Sequence, residues 1–145
     1  MIKGLVAASI LWPVLLGMGA GTRIQNERSG FAGVVYLSAG LVCHQRDDRS
    51  FHTHGVKWPV CARCSGLYLA APIGALAALS GRRTTRARVG TRWLVLAAVP
   101  TLLTVGLEWF HLLPVTSIAR AIAAAPLGAA IAFAIVRVTA EGEVH

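Results

Sequence analysis

Long stretches without a charged residue decide most of what this chain can become. No Asp, Glu, Lys or Arg occurs between Gly4 and Gly21, and comparable runs occupy Ser29 to Cys43, Cys64 to Gly81, Trp93 as far as Glu108, and Ile118 to Val136, the last broken by Arg120. A helix that crosses a bilayer needs about 20 predominantly apolar residues. In lipid, every backbone N–H and C=O must find its partner within the protein, which favours helices. The runs are rich in Ala, Leu and Gly and lack the apolar/polar alternation of a membrane barrel. The expected fold is therefore all-α, a polytopic helical membrane bundle of about five transmembrane helices in one domain, residues 1–145. Composition agrees. The apolar share is 55% without glycine, against about 45–50% with glycine in a soluble domain, and mean hydropathy is +0.62.

The runs differ in quality. The first follows Lys3, a pattern that fits either a cleaved signal peptide or a retained helix. Trp12-Pro13 interrupts its apolar centre and no clean A-x-A site follows, which favours a retained helix, kinked or tilted at Pro13. The second run is short for a span and reads either as a snorkelling helix or as a partly re-entrant one. The last run carries Ala-Ala-Ala-Pro-Leu-Gly-Ala-Ala, small residues that let helix backbones approach closely.

The charge pattern bears on partners. The net charge is +8, which in a soluble protein would suggest nucleic acid. Here Arg82, Arg83, Arg86, Arg88 and Arg92 crowd into one basic loop, residues 81–92, with no acid. Such clusters fix topology and touch anionic headgroups, so the expected partner is the lipid bilayer and not nucleic acid. If every run spans, Arg23, Arg28, the loop arginines and Arg137 share one side, eight positive residues against six on the other. The positive-inside rule then makes the basic loop cytoplasmic and the polar loop after the second run extracytoplasmic, in a multi-pass protein of the inner membrane. Two spans separate that polar loop from the Glu108–Arg120 connection, so both belong to one face.

The polar loop, residues 43–64 between the second and third helices, concentrates the chemistry. It holds all three cysteines and three of the five histidines. Cys61-Ala-Arg-Cys64 is a C-x-x-C at the expected start of a helix. That spacing suits two thiolates converging on a metal from one tight turn. It also suits a redox pair whose thiol is acidified by a helix N-terminus. Cys43-His44 stands at the other end of the same loop, which a helical hairpin would bring close. Cys43, Cys61 and Cys64 with one histidine make a Cys3His set, a common structural zinc arrangement. His44, His52 and His54 compete for the fourth place. The odd cysteine count argues against a simple disulfide framework. Thiolate and imidazole together favour zinc, with iron or copper as softer alternatives.

Glu108 and His111 lie three apart on one helix face. Charge at a membrane edge marks either internal pairing or function. Glu108 is thus expected either to pair with Arg120 or, with His111, to approach the Cys/His loop as an additional ligand or a proton path. Arg46, Asp47, Asp48, Arg49 and Ser50 read as a solvated stretch of local pairs and Asx-type turns or as support for the ligands. There is no Gly-rich phosphate loop and no nucleophile elbow.

Cys43-His44-Gln45, Arg49-Ser50-Phe51 and Pro59-Val60-Cys61-Ala62-Arg63-Cys64-Ser65-Gly66-Leu67-Tyr68 together resemble a family of small prokaryotic membrane proteins, classed as a domain of unknown function. Its signature reads C-H-Q, R-S-F and P-x-C-A-R-C-T-G-x-Y. Ser65 stands where threonine is usual and keeps the hydroxyl. Glu108, Ser117, Arg120 and Leu127-Gly128 are similar to the family's late acid, Ser-x-x-Arg and small-residue helix. The resemblance implies a membrane setting and no reaction. Two functional expectations follow from the residues. One is a structural metal site at a membrane face, in a protein that acts as an accessory subunit of a larger membrane complex. The other is a quinone-linked thiol–disulfide oxidoreductase using the C-x-x-C, in which Cys43 would have to serve as the resolving thiol.

Overall fold

A computed structural model describes residues 2–26, 28–80 and 91–142. Most of the basic loop, residues 81–90, lies outside the described residues. Among the described residues five α-helices form: α1 (Ile2–Gln25), α2 (Gly30–Gly40), α3 (Ala62–Ser80), α4 (Thr91–Trp109) and α5 (Ser117–Gly142). Four of them, α1, α3, α4 and α5, are long and apolar enough to cross a membrane. Each of the four contains one proline, Pro13, Pro72, Pro100 and Pro126, and continues through it.

The centre of the bundle is the α3–α5 pair. On α3, Gly66, Ala70, Gly74 and Ala78 recur every fourth residue and so form one stripe. A side chain at Gly66 would strike the Ala121 carbonyl, one at Gly74 the Ala129 carbonyl, and one at Gly128 of α5 the Leu67 carbonyl. The two backbones therefore touch, the kind of packing that small residues permit between helices in lipid. α1 lies antiparallel along α3. Its Ile2 and Val6 pack with Ala75, Ala78 and Val136. Trp12 meets Tyr68 edge-on at 6.2 Å, and Leu16 reaches Val35, Ala39, Cys43 and Val60. α4 has no buried residue in its span; Trp93, Leu96, Leu102 and Leu103 are exposed, an apolar face open to lipid or to another apolar surface.

α2 is the exception among the helices. Its 11 residues rise only about 16 Å, half of a hydrocarbon core of about 30 Å. Ser29 caps it by accepting a hydrogen bond from the Ala32 N–H at 3.4 Å. It folds back along the end of α1, with Val35 against Gly19 and the Tyr36 hydroxyl donating to the Lys57 carbonyl. Arg23 lies 4.5 Å over the Tyr36 ring. Both ends of α2 thus lie on the face of the polar loop. Arg23 and Arg28 move to that face with it, joining Arg46, Arg49, Lys57, Arg63 and Arg120. Seven of the fourteen Lys and Arg, Lys57 of the hairpin among them, therefore lie on the polar-loop face, against the six expected from five full spans without Arg23 and Arg28, and the count no longer decides orientation.

The polar loop also contains structure that its composition did not announce. A 3-10 turn (Asp47–Arg49) leads into a hairpin of β1 (Ser50–Thr53) and β2 (Val56–Cys61). His54 and Gly55 have φ of 51° and 78°, the left-handed pair that a two-residue hairpin turn requires. Thr53 pairs with Val56 and His52 with Lys57, but Ser50 pairs with Cys61. The register shift lies opposite Trp58-Pro59-Val60, where proline lacks the N–H of a regular ladder. It sets Cys61 at the point where β2 becomes α3.

Candidate metal centre

Three elements deliver the thiols. Cys43 follows α2, its N–H bonded to the Ala39 carbonyl at 2.9 Å, and its side chain is buried beside Leu16, Val35 and Val60. Cys61 ends β2, and Cys64 stands in the first turn of α3. Their sulfur atoms all lie within 4.8 Å of one another. A tetrahedral zinc with Zn–S bonds of about 2.3 Å would place its sulfurs about 3.8 Å apart, so little movement separates the two arrangements.

Local backbone geometry prepares the set for negative charge. The Cys61 N–H donates to Cys43 Sγ at 3.2 Å. Cys61 itself occupies the N-cap position of α3. Its thiol is lowered to about 5, first by the hydrogen bond from the Cys64 thiol, then by the main-chain N–H groups of Cys64 and Arg63 and by Cys43, against the opposing effect of burial. A sulfur that accepts hydrogen bonds from an open helix N-terminus is stabilised as thiolate, the form that binds metal.

The residues between and around the cysteines brace the group. Arg63, inside the C-x-x-C, donates from Nη2 to Glu108 Oε2 at 2.8 Å, and Arg120 Nε pairs with the other Glu108 oxygen. Arg120 also reaches the Asp48 carbonyl at 3.4 Å. One carboxylate therefore ties α3, α4 and α5 together beside the thiols, with all three side chains more than four-fifths buried. This also bears out the expectation that the polar loop and the Glu108–Arg120 connection share a face. Gln45, at φ 47°, donates to the Tyr36 carbonyl at 2.6 Å and receives Lys57 Nζ on its own carbonyl at 2.8 Å. Buried Ser50 donates to the Arg46 carbonyl at 2.7 Å. Ser50 thus supports the loop, one of the two readings its segment allows, whereas the chemistry of Gln45 alone does not mark it in the sequence. Both lie in the C-H-Q and R-S-F segments, and both act by closing the loop.

Among the described residues, the three cysteines are the one group of three or more potential ligands that come together. His44 borders the same cleft, which measures about 360 Å³ and is bounded also by Arg46, Arg49, Arg63 and Arg120. His52 is on the exposed side of β1, 3.2 Å from Asp47. His54 forms the hairpin turn and is exposed. Glu108 is held by its two arginines. His111 lies beyond the end of α4 at Trp109, in a turn with φ 54°, so the shared helix face expected for Glu108 and His111 is not formed; it lines a neighbouring hollow of about 400 Å³ with Asp48, Arg49 and Glu108.

Comparison with known proteins adds a setting. The family model described as "Predicted membrane protein (DUF2085)" matches residues 43–134, which begin at the first thiol and include Glu108 and Arg120. An uncharacterized protein of Methanocaldococcus jannaschii is 33% identical over 67 residues, 46% of this chain and 43% of the relative. An uncharacterized protein of Methanothermobacter thermautotrophicus is 47% identical over 38 residues, 26% of this chain and 34% of the relative. The chain thus spans less than half the length of these relatives. No solved structure matches it.

Proposed function

From the premise that this chain belongs to the DUF2085 family of membrane proteins, we propose that it carries a structural metal site, most naturally zinc, at one membrane face. The single observation that carries the reading is the convergence of Cys43, Cys61 and Cys64 from three separate elements to within 4.8 Å. His44 is the fourth ligand in this reading, because it borders the thiol cleft whereas His52 and His54 belong to the hairpin. Three thiolates and one imidazole close a tetrahedron and leave no position for substrate, which suits a structural role. The metal then fixes the hairpin and α2 onto the ends of the bundle, and its binding supplies part of the folding free energy of that face. Iron or copper would be softer occupants of the same thiols.

A redox reading needs a second cysteine pair to pass electrons onward, and the chain has three cysteines in total. The proposed place is the inner membrane with the arginine segment cytoplasmic. What supports this is the crowding of five arginines into residues 82–92, since a dense cluster next to a span is what resists translocation. The thiols would then face outward, where metal protects them from oxidation. An accessory role in a larger membrane complex is supported by the uncovered apolar length of α4.

Elemental analysis of the purified wild type beside Cys43→Ser and Cys61→Ser tests the site. Near-stoichiometric zinc that disappears in both variants is the expected result. A wild type prepared without chelator that is folded and free of metal would contradict it.

A further inference from the structure

The cleft beside the thiols holds a charge imbalance that the metal reading does not use. Four guanidinium groups border it, those of Arg46, Arg49, Arg63 and Arg120, and no carboxylate does. Two carboxylates lie behind them, and each is shared by two arginines. Asp48 pairs with Arg46 at 3.2 Å and with Arg49 at 3.5 Å; Glu108 pairs with Arg63 and Arg120. Two positive charges are left over. The thiol group contributes one negative charge in either state, as three thiolates on a dication or as a single thiolate without metal, so the two surplus guanidinium charges leave the cleft cationic with or without metal. Buried guanidinium capacity is also unspent, since Arg63 Nε is enclosed and has no hydrogen-bond partner. At about 360 Å³ the cleft falls at the lower end of the range of small-molecule sites, roughly 300–1,000 Å³.

We propose that this cleft is a binding site for a phosphate-type oxyanion, held between the arginines at the rim of the thiol group. Planar guanidinium forks match the paired oxygens of a phosphate in geometry and charge, and such charge-assisted bonds are among the strongest a protein makes. The cleft opens at a membrane face, so the phosphate is either a free anion or the headgroup of a lipid. Both present the same oxygens to Arg46 and Arg49.

The test is equilibrium dialysis of radiolabelled orthophosphate against the full chain, as purified in detergent at low ionic strength, with metal content measured on the same samples. Saturable binding is expected, weakened roughly tenfold in Arg49→Gln and in Arg46→Gln, the loss of one charged hydrogen-bonding group. Arg28→Gln, on a different groove, should bind as the wild type does. Arg46 and Arg49 are partly exposed, so these variants are expected to fold, and their unfolding temperatures check that they do. Displacement of the label by short-chain phosphatidic acid at far lower concentration than free phosphate identifies a lipid headgroup; displacement only at equal concentration identifies the free anion; both uphold the site. Binding that does not saturate, or that folded Arg49→Gln and Arg46→Gln leave unchanged, overturns it. Because metal is measured separately, zinc without phosphate binding defeats this inference alone, and phosphate binding without zinc defeats the metal reading alone.

Discussion

Along its length and at its first turn, α3 is held in opposite ways. Along its length it touches α5 main chain to main chain, through Gly66, Gly74 and Gly128, and no charge takes part. At its first turn the hold is made by named polar atoms: Arg63 on Glu108, the thiols on one another, and the Cys61 N–H on Cys43. The first interface is specified by the absence of side chains and stabilised by dispersion between closely packed atoms. The second is specified by charge in a poorly solvated place, where losing one partner costs more than making the pair contributes. The lesson is that the bundle and its site can be broken separately.

The largest effect is expected at the charged end. Glu108→Ala leaves Arg63 and Arg120 buried without their counter-charge, and a loss of about 3–5 kcal/mol is expected, read as unfolding in detergent micelles. Glu108→Gln, which keeps a hydrogen-bonding group of the same shape, should lose less. If the two variants were equally stable, the carboxylate charge would not be what binds the three helices. Next comes the seam. Gly74→Val drives a side chain into the Ala129 carbonyl, and overpacking of this kind costs about 1–3 kcal/mol. The separation of the two regions is sharpened if this variant loses stability but keeps its metal. Smaller again is Tyr36→Phe, which removes the bond to the Lys57 carbonyl for about 1 kcal/mol. It should loosen the hairpin while leaving the α3–α5 pair intact, a difference that hydrogen exchange resolves segment by segment.

Thiol reactivity probes the charged end directly. In metal-free protein the Cys61 thiol is lowered to about 5, whereas an unfolded cysteine titrates at about 8.5. The folded value lies below the unfolded one, so the associated stabilisation is complete above the unfolded value and is lost as pH falls through the folded value. Alkylation of Cys61 by an uncharged reagent should be fast at neutral pH and fail only under acid conditions. A reactivity midpoint at the ordinary thiol position would mean that the helix end and Cys64 do not hold the thiolate.

What was legible in the sequence follows the same division. Uncharged runs declare spans because lipid imposes a length, so α1, α3, α4 and α5 could be read directly, as could the thiols from their spacing. α2 was visibly short, yet its return along α1 depends on Val35 meeting Gly19 and on Tyr36 reaching Lys57, contacts that no local pattern states. Without those contacts the run pattern alone puts Arg23 and Arg28 on the opposite face. The hairpin escaped because His54-Gly55 is not the usual turn pair and Pro59 disguises β2 as loop. Glu108 stands out in the sequence as a charge at a membrane edge. Its pairing with Arg120 was one of two readings, and its hold on Arg63, forty-five positions away, could come only from the packing of α3 against its neighbours.

The most direct measurement of the central claim is X-ray absorption at the zinc edge of the purified protein. Three sulfur scatterers at about 2.3 Å and one nitrogen at about 2.0–2.1 Å are expected, with the nitrogen lost or replaced in His44→Ala while the sulfurs remain. A folded protein whose zinc shows fewer than three sulfurs, or which binds no zinc while its thiols stay reduced, would contradict a metal centre built from Cys43, Cys61 and Cys64.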